Sequence, residues 1–79
     1  ENPPPIYPPE ALARRLSGRV VVRVRLDDRG RVAEALIHRS SGESLLDEAA
    51  LQAVRRWQFE VSQPARLREF ALPVNFVLR

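Results

Sequence analysis

Cysteine is absent from this sequence, and histidine occurs only once, at His38. Without cysteine the chain can form neither a disulfide framework nor a thiolate metal site, and one histidine does not complete a metal site. We therefore expect His38 to be a solvated strand residue, and we expect no metal or cofactor. No apolar run approaches the roughly 20 residues that cross a bilayer, and no signal peptide is recognisable.

Lysine is also absent, so that all thirteen basic residues are arginine, and the net charge is +3. The arginines are spread from Arg14 to Arg79 with acidic residues between them. A nucleic-acid module usually concentrates its positive charge on one face, and here only Arg19, Arg23 and Arg25 form a stripe. We interpret this stripe as the solvated face of a sheet, with phosphate binding as the alternative.

Catalytic motifs are missing as well. The sequence contains no GxSxG elbow, Walker loop, dinucleotide fingerprint, HExxH helix or EF-hand loop. Asp27 and Asp28 are adjacent in a turn, where their side chains diverge. We therefore interpret them as turn-forming residues in preference to an acid–base pair. The sequence therefore predicts an interaction domain that is not an enzyme.

The strongest pattern that is present runs from Gly18 to Leu26. The chain has 79 residues, 44% of them hydrophobic, which is the size and composition of one globular domain. Alternate residues of this stretch are valine or leucine, with arginines on the opposite face, which predicts a strand with one buried face. Residues 27–30 then supply a turn. We expect this strand to be the middle of a small sheet.

Two further strands are predicted. Residues 31–40 form the hairpin partner, and the offset between Val32 and Ala35 indicates a β-bulge near residues 33–34. Residues 67–78 form the last strand, in which Phe70, Leu72, Val74, Phe76 and Leu78 share one face. Proline cannot donate a ladder hydrogen bond, so Pro73 places this strand at an edge of the sheet.

A long helix is predicted over residues 45–57. Ser44 is a favourable N-cap, and Asp47 lies in the reciprocal position of a capping box. Small alanines would let the helix sit close to the sheet. The stripe that faces the sheet consists of Leu46, Ala50, Val54 and Trp57.

The N-terminal segment is rich in proline. Residues 1–6 are predicted to be the extended end of a proline-rich linker from a longer protein, and residues 7–79 to form the domain. Tyr7 is placed either to anchor the linker or to face a partner. A short helix is predicted over residues 8–16, with Leu12 among the residues that dock on the sheet.

The order helix, strand, strand, helix, strand indicates an α+β fold. The simplest arrangement is a three-stranded antiparallel sheet in which the first strand lies between the second and the third. Both helices then cover the face with the valines and leucines, and the arginine face stays in water. The outer edge of the last strand would present backbone N–H and C=O groups to another strand.

Five segments form an ordered set along the chain. They are Tyr7-Pro8 before a short helix, the strand and Asp-Asp-Arg-Gly turn of residues 20–30, Ser-Ser-Gly at 40–42 with Leu-Asp at 46–47, Val-Arg-Arg-Trp-Gln-Phe at 54–59, and Pro-Val-Asn-Phe at 73–76. Each segment alone is weakly specific, and the ordered set is specific. It resembles the C-terminal domain of TonB energy transducers over essentially the whole chain.

The resemblance implies a periplasmic adaptor domain of Gram-negative bacteria, tethered to the inner membrane by a segment before Glu1. It implies force transmission from an ExbB–ExbD-like, proton-driven complex to outer-membrane transporters for siderophore, haem or cobalamin-type nutrients. The TonB box of the transporter would add as a strand to the last strand of the domain. The implied partner-binding residues are Ile6, Tyr7, Pro8, Leu72, Pro73, Val74, Asn75, Phe76, Val77 and Leu78.

Two places depart from the family pattern. Some members carry glutamines just before the Tyr-Pro pair, where this chain has Pro4, Pro5 and Ile6, and this leaves the choice of receptor open. Val61 stands where the family often has proline, and Pro64 follows later, which bears on the length of the connector before the last strand.

Other partners and functions stay open at this point. The same strand edge could pair with itself, so the sequence also predicts a homodimer at high concentration, with or without exchanged strands. One alternative function is a TonB-like or TolA-like envelope domain with a different partner. Another is a small nucleic-acid-binding domain that contacts phosphates through the arginine stripe.

Overall fold

The structure is a computed structural model that describes residues 2–61, 64 and 68–79. Over these residues two helices and three strands follow each other in the predicted order. The predicted start of the last strand at Leu67, and most of the connector before it, lie outside the described residues. The elements are α1 (Pro9–Ala13), β1 (Gly18–Leu26), β2 (Val32–Arg39), α2 (Ser44–Val54) and β3 (Glu69–Phe76).

The three strands form an antiparallel sheet in the order β2-β1-β3, so the α+β prediction is confirmed. The buried core lies against one face of this sheet. The alternate residues of β1 that were predicted to face inward are at most 8% exposed, and the stripe of α2 that packs on them is fully buried. These core residues are Val20, Val22, Val24 and Leu26 of β1 and Leu46, Ala50 and Val54 of α2.

The turn between β1 and β2 is closed by one carboxylate. Asp27 accepts hydrogen bonds from the backbone N–H groups of Arg29 at 2.8 Å and Arg31 at 2.9 Å. These backbone hydrogen bonds, the Arg31 bond first, lower the pKa of Asp27. Gly30 has φ 81°, and a Cβ there would lie 1.8 Å from the carbonyl oxygen of Phe59, so only glycine fits this turn.

β2 contains two irregularities. Arg25 pairs with Glu34 and Leu26 with Val32, so Ala33 is an extra residue, and the predicted bulge near residues 33–34 is confirmed. A second register shift lies between the pairs Val21–Arg39 and Val22–Ile37, where His38 is the extra residue of β2. The sequence pattern does not predict this shift. His38 is exposed, as predicted.

α1 is shorter than predicted and buries a different residue. It ends at Ala13, and Ala11 is fully buried whereas Leu12 is 49% exposed, so the predicted docking of Leu12 is wrong. The small methyl of Ala11 allows the close approach that a leucine would prevent. Arg15, just beyond the C-cap Arg14, has φ 55°, and the N–H of Leu16 bonds to the carbonyl of Ala11 at 2.8 Å, as in a Schellman motif.

α2 begins one residue earlier than predicted and ends at Val54, not at Trp57. Glu43 is the N-cap, and no side chain caps the helix, so the predicted capping box with Ser44 is wrong. Asp47 instead bonds backward to the preceding loop. Its carboxylate accepts hydrogen bonds from the Ser41 backbone N–H at 2.9 Å, the Ser41 hydroxyl at 2.8 Å and the Ser40 hydroxyl.

Candidate functional site

β3 lies at one edge of the sheet, where Pro73 predicted it. It pairs with β1 along its whole length, from Glu69 opposite Arg25 to Phe76 opposite Gly18, without a register shift. No other strand in the described part of the chain pairs with its far side. β3 therefore offers a continuous, regular edge.

The backbone groups of β3 alternate between the two sides. Just beyond the ladder, the N–H of Leu26 donates to the carbonyl of Arg68 at 3.0 Å. Leu26 and Arg68 are therefore a hydrogen-bonded pair, in which the carbonyl of Arg68 points toward β1. Hydrogen-bonded and non-hydrogen-bonded pairs alternate along an antiparallel ladder. The even-numbered residues of β3 therefore bond to β1, and four residues direct their backbone groups outward: Glu69, Ala71, Pro73 and Asn75.

These four residues, which we call the open edge, have exposed side chains. Their backbone carries three N–H and four C=O groups, because proline lacks an N–H. None of these groups takes part in a hydrogen bond outside the ladder among the residues that the structure describes. Pro73 occupies a position where its missing N–H removes no bond to β1, which explains why the sheet tolerates it.

The opposite edge of the sheet, formed by β2, is less suited to another strand. The extra residues Ala33 and His38 interrupt its ladder at both ends, and bulges of this kind blunt an edge against further pairing. Of the two edges, only that of β3 is regular over the full strand.

The inner flank of β3 is apolar. Val74 and Phe76 are 4% exposed, whereas Leu72 and Phe70 are only half-buried. The Phe70 ring meets Phe59 edge to face, with ring centroids 5.4 Å apart. An added strand would thus extend the hydrophobic layer on this side.

The predicted partner-binding residues of the N-terminal segment divide between two places. The Tyr7 ring packs edge-on against Phe76, with centroids 5.4 Å apart, and its hydroxyl donates to the carbonyl of Leu16. Tyr7 therefore anchors the segment beside β3. Ile6 and Pro8 instead line a groove of about 340 Å³ against α2, and Ile6 is 73% exposed.

Residues 2–8, which we call the N-terminal strap, are also fastened at their other end. The indole N–H of Trp57 donates to the carbonyl of Pro3 at 2.6 Å. The side-chain amide of Asn2 donates to the carbonyl of Gln58 at 3.1 Å and accepts from its N–H at 2.8 Å. Sequence reasoning placed Trp57 in the core and missed this role, although an indole N–H near the surface needs an acceptor.

The bounds of β3 and those of the predicted docking segment, residues 72–78, overlap only in part. The strand ends at Phe76, so Val77 and Leu78 lie beyond it, and Val77 is 69% exposed. Glu69 and Ala71, which the sequence analysis did not include, belong to the open edge. Leu72, Val74 and Phe76 contribute side chains to its inner flank, while their backbone groups face β1.

The arginine stripe on the other face of the sheet is largely neutralised. Arg23 pairs with Glu69 at 3.7 Å and Arg25 with Glu34 at 3.6 Å. Within the described residues only Arg19 of the stripe has no ion-pair partner. Paired charges of alternating sign fit a solvated face better than a phosphate-binding surface.

Two specific features are absent from residues 2–61, 64 and 68–79. No group of three or more histidine, cysteine, aspartate or glutamate residues there could hold a metal ion. No described helix combines the length and apolar character that a membrane span needs.

Comparison with known proteins identifies the family of this chain. A family model described as the Gram-negative bacterial TonB protein C-terminal matches residues 3–78. The chain is 36% identical over 80 residues to protein tonB2 of Pseudomonas aeruginosa, covering 98% of this chain and 30% of that protein. It is 39% identical over 79 residues to TonB of Xanthomonas campestris pv. campestris, covering 95% of this chain and 35% of that protein.

A further relative is TonB of Salmonella typhimurium, 31% identical over 75 residues, with 95% of this chain and 29% of that protein covered. The chain thus spans about a third of the length of the relatives it matches. The match runs through both helices and all three strands, including the open edge of β3. This chain belongs to the family of TonB C-terminal domains.

Proposed function

We propose that this domain is the receptor-binding part of a TonB-type energy transducer in the envelope of a Gram-negative bacterium. An outer-membrane transporter would present its TonB box, an extended segment, to the open edge. The segment would join the sheet as a fourth strand beside β3. The observation that carries this proposal is the unbulged edge of β3, with its outward backbone groups free among the described residues.

Backbone pairing suits an adaptor that serves several receptors. The three N–H and four C=O groups of the open edge bond to any extended chain, because main-chain groups carry no side-chain identity. Each such bond contributes about 0.5–1.5 kcal/mol net. Selectivity would come from side chains that pack beside the half-buried Leu72 on the inner flank.

The same geometry suits the transmission of force. When a strand is pulled along its own axis, all the hydrogen bonds to its neighbour are loaded together. A guest strand beside β3 would therefore resist pulling better than one held at a single point. The N-terminal strap, through which the pull would arrive, is anchored next to β3 by the contact of Tyr7 with Phe76.

The remaining parts of the proposed system lie outside this domain. A periplasmic location, a tether to the inner membrane and coupling to an ExbB–ExbD-like complex are proposed from the family resemblance, since the chain covers about a third of its relatives. Uptake of siderophore, haem or cobalamin-type nutrients is proposed on the same ground.

Amide hydrogen exchange tests the strand addition directly. In the free domain, the N–H groups of Ala71 and Asn75 should exchange rapidly, and those of Leu72, Val74 and Phe76 should be protected. Addition of a synthetic TonB-box peptide should slow exchange at Ala71 and Asn75 at least 10-fold, because these groups become hydrogen-bonded.

The control is the same peptide with proline at two adjacent central positions, because one of these two residues must direct its N–H toward β3; without that bond and with the proline ring at the edge, the peptide should give much less protection. Protection that appears on β2 instead of β3, or equal protection by the proline peptide, would show that the domain does not bind by strand addition at this edge.

A further inference from the structure

Pro73 interrupts the row of donors on the open edge. Of the four outward positions, Glu69, Ala71 and Asn75 keep an N–H, and Pro73 in their midst has none. Its ring is exposed and lies where an incoming strand would approach. Any strand that pairs along the whole edge must leave one of its carbonyl groups without a donor at this point.

The consequence differs between a foreign strand and a second copy of the domain. A guest strand that brings its own complete backbone loses one hydrogen bond, the one that residue 73 would donate. In an antiparallel pair of β3 strands related by a two-fold axis, each copy contributes one Pro73, so two hydrogen bonds are lost. These two hydrogen bonds are lost in every antiparallel register in which Pro73 of each copy lies opposite an outward-facing residue of the other copy.

We propose that Pro73 makes the open edge selective for a guest strand over a second copy of the domain. This inference rests on the proposed strand addition to β3, and it deepens that function by assigning the residue that disfavours self-pairing. Other protective devices are sparse here. β3 has no bulge, in contrast to β2, and its one charged side chain is Glu69, at the start of the strand.

The pairing arithmetic gives a quantitative expectation for Pro73→Ala. If restoring one N–H tightens binding of a TonB-box peptide by a factor f, it should tighten β3–β3 dimerisation by about f squared. A net backbone hydrogen bond corresponds to an f of about 3 to 10, so the dimer should gain about 10- to 100-fold. The wild-type protein should therefore self-associate weakly, and the variant much more strongly.

The experiment measures both equilibria on the same set of proteins. Peptide affinity is obtained from fluorescence anisotropy of a labelled TonB-box peptide, and dimerisation from sedimentation equilibrium. The variants are Pro73→Ala, Pro73→Val and the double variant Ala71→Pro with Pro73→Ala. The double variant keeps the number of prolines and moves the gap to another outward position, so both constants should return toward the wild-type values.

The outcomes are distinct for the two proposals. Equal affinities of wild type and Pro73→Ala in both assays would overturn the role of Pro73 while leaving strand addition intact. A wild type that fails to bind the peptide would overturn the proposed function and with it the selectivity, and the dimerisation of Pro73→Ala would then still decide whether Pro73 disfavours self-pairing. If Pro73→Ala gains in peptide binding but not in dimerisation, the selectivity is refuted.

Discussion

At the scale of single residues, Asp47 holds the loop before α2 in place. Its partial burial raises the pKa, but hydrogen bonds from the Ser40 hydroxyl and from the N–H and hydroxyl of Ser41 outweigh this effect, and the pKa is lowered. The carboxylate is therefore more stable in the folded than in the unfolded chain. Its contribution is complete above the ordinary aspartate pKa and is lost as the pH falls below about 4.

Replacement of Asp47 by asparagine should lower the free energy of unfolding at pH 7 by about 1 kcal/mol, because the charge-assisted bonds are weakened in a partly solvated place. At pH 3 the difference from wild type should be smaller, because this pH lies below the ordinary aspartate pKa, where the stability contributed by the lowered pKa of Asp47 is being lost. Urea unfolding at the two pH values measures this. The pKa of Asp27 is also lowered, so both the wild type and Asp47→Asn lose some stability in acid through Asp27. This loss is the same in both proteins and does not affect the difference between their free energies of unfolding.

Glu48→Gln provides the matched control for this prediction. Glu48 follows Asp47 on α2, is exposed, and bonds only to Gln52 at 3.3 Å among the described residues. Its replacement should cost little at either pH. An Asp47→Asn deficit that is equally large at pH 3 would mean that packing, and not the ionised carboxylate, holds the loop.

At the scale of elements, the N-terminal strap is fixed by separate contacts at its two ends. Trp57 and the backbone of Gln58, just after α2, hold Pro3 and Asn2. Tyr7 holds the other end through its ring and hydroxyl. Residues 2–6, which the sequence predicts to belong to the end of a proline-rich linker, thus have a defined path over the domain.

The double variant Asn2→Ala with Trp57→Phe should release residues 2–6 of the strap and leave Tyr7 in place. It removes three exposed hydrogen bonds, each worth about 0.5–1 kcal/mol. In nitrogen-15 relaxation measurements, the order parameter of the Ile6 amide should fall below 0.6, while that of Tyr7 stays near 0.85. Asn75→Ala, the same change at the other asparagine, should alter neither value.

If Ile6 keeps its order in the double variant, the prolines hold the strap through apolar contacts with α2 alone. The contacts that fix the strap would then be those of the groove lined by Pro3, Pro4 and Ala53. A loss of order at Tyr7 as well would show that the strap detaches as one unit.

The elements differ in how far the sequence predicts them. β1 and α2 were predicted well because a long apolar period, from Val20 to Leu26 and from Leu46 to Val54, leaves one choice of buried face. α1 was not, because five residues hold too little periodicity to choose between Ala11 and Leu12. Side-chain bonds to distant backbone, such as Asn2 to Gln58, leave no local pattern at all.

The open edge shows the same division. Pro73 alone placed β3 at the edge, because a missing N–H excludes the middle of a sheet. Which backbone groups of β3 point outward depends on the register with β1. It also depends on which pairs in that register are hydrogen-bonded, and the bond from the Leu26 N–H to the Arg68 carbonyl shows this. No local sequence pattern carries this information.

At the scale of the whole molecule, stability is concentrated in β1. It is the central strand, bonded to β2 on one side and β3 on the other. Val22 lies in the middle of β1, is fully buried and pairs with Ile37 and Leu72. The open edge of β3 exists only while this core is intact, so receptor binding and global folding depend on the same residues.

Val22→Ala should therefore lower the free energy of unfolding by about 2–3 kcal/mol, through lost burial and a cavity that rigid neighbours cannot fill. Val21→Ala, one residue away on the solvated face, should cost less than about 1 kcal/mol. Trp57, the one tryptophan, reports on the end of α2 and the strap, and far-ultraviolet circular dichroism reports on the helices and sheet. Because a small domain with one core unfolds as a unit, both signals should give the same midpoint in each variant.

A Trp57 transition that precedes the loss of the sheet would contradict this expectation. It would show that the strap and α2 form a separate, less stable unit. Pulling on the N-terminus could then detach that unit before the edge of β3 is disturbed.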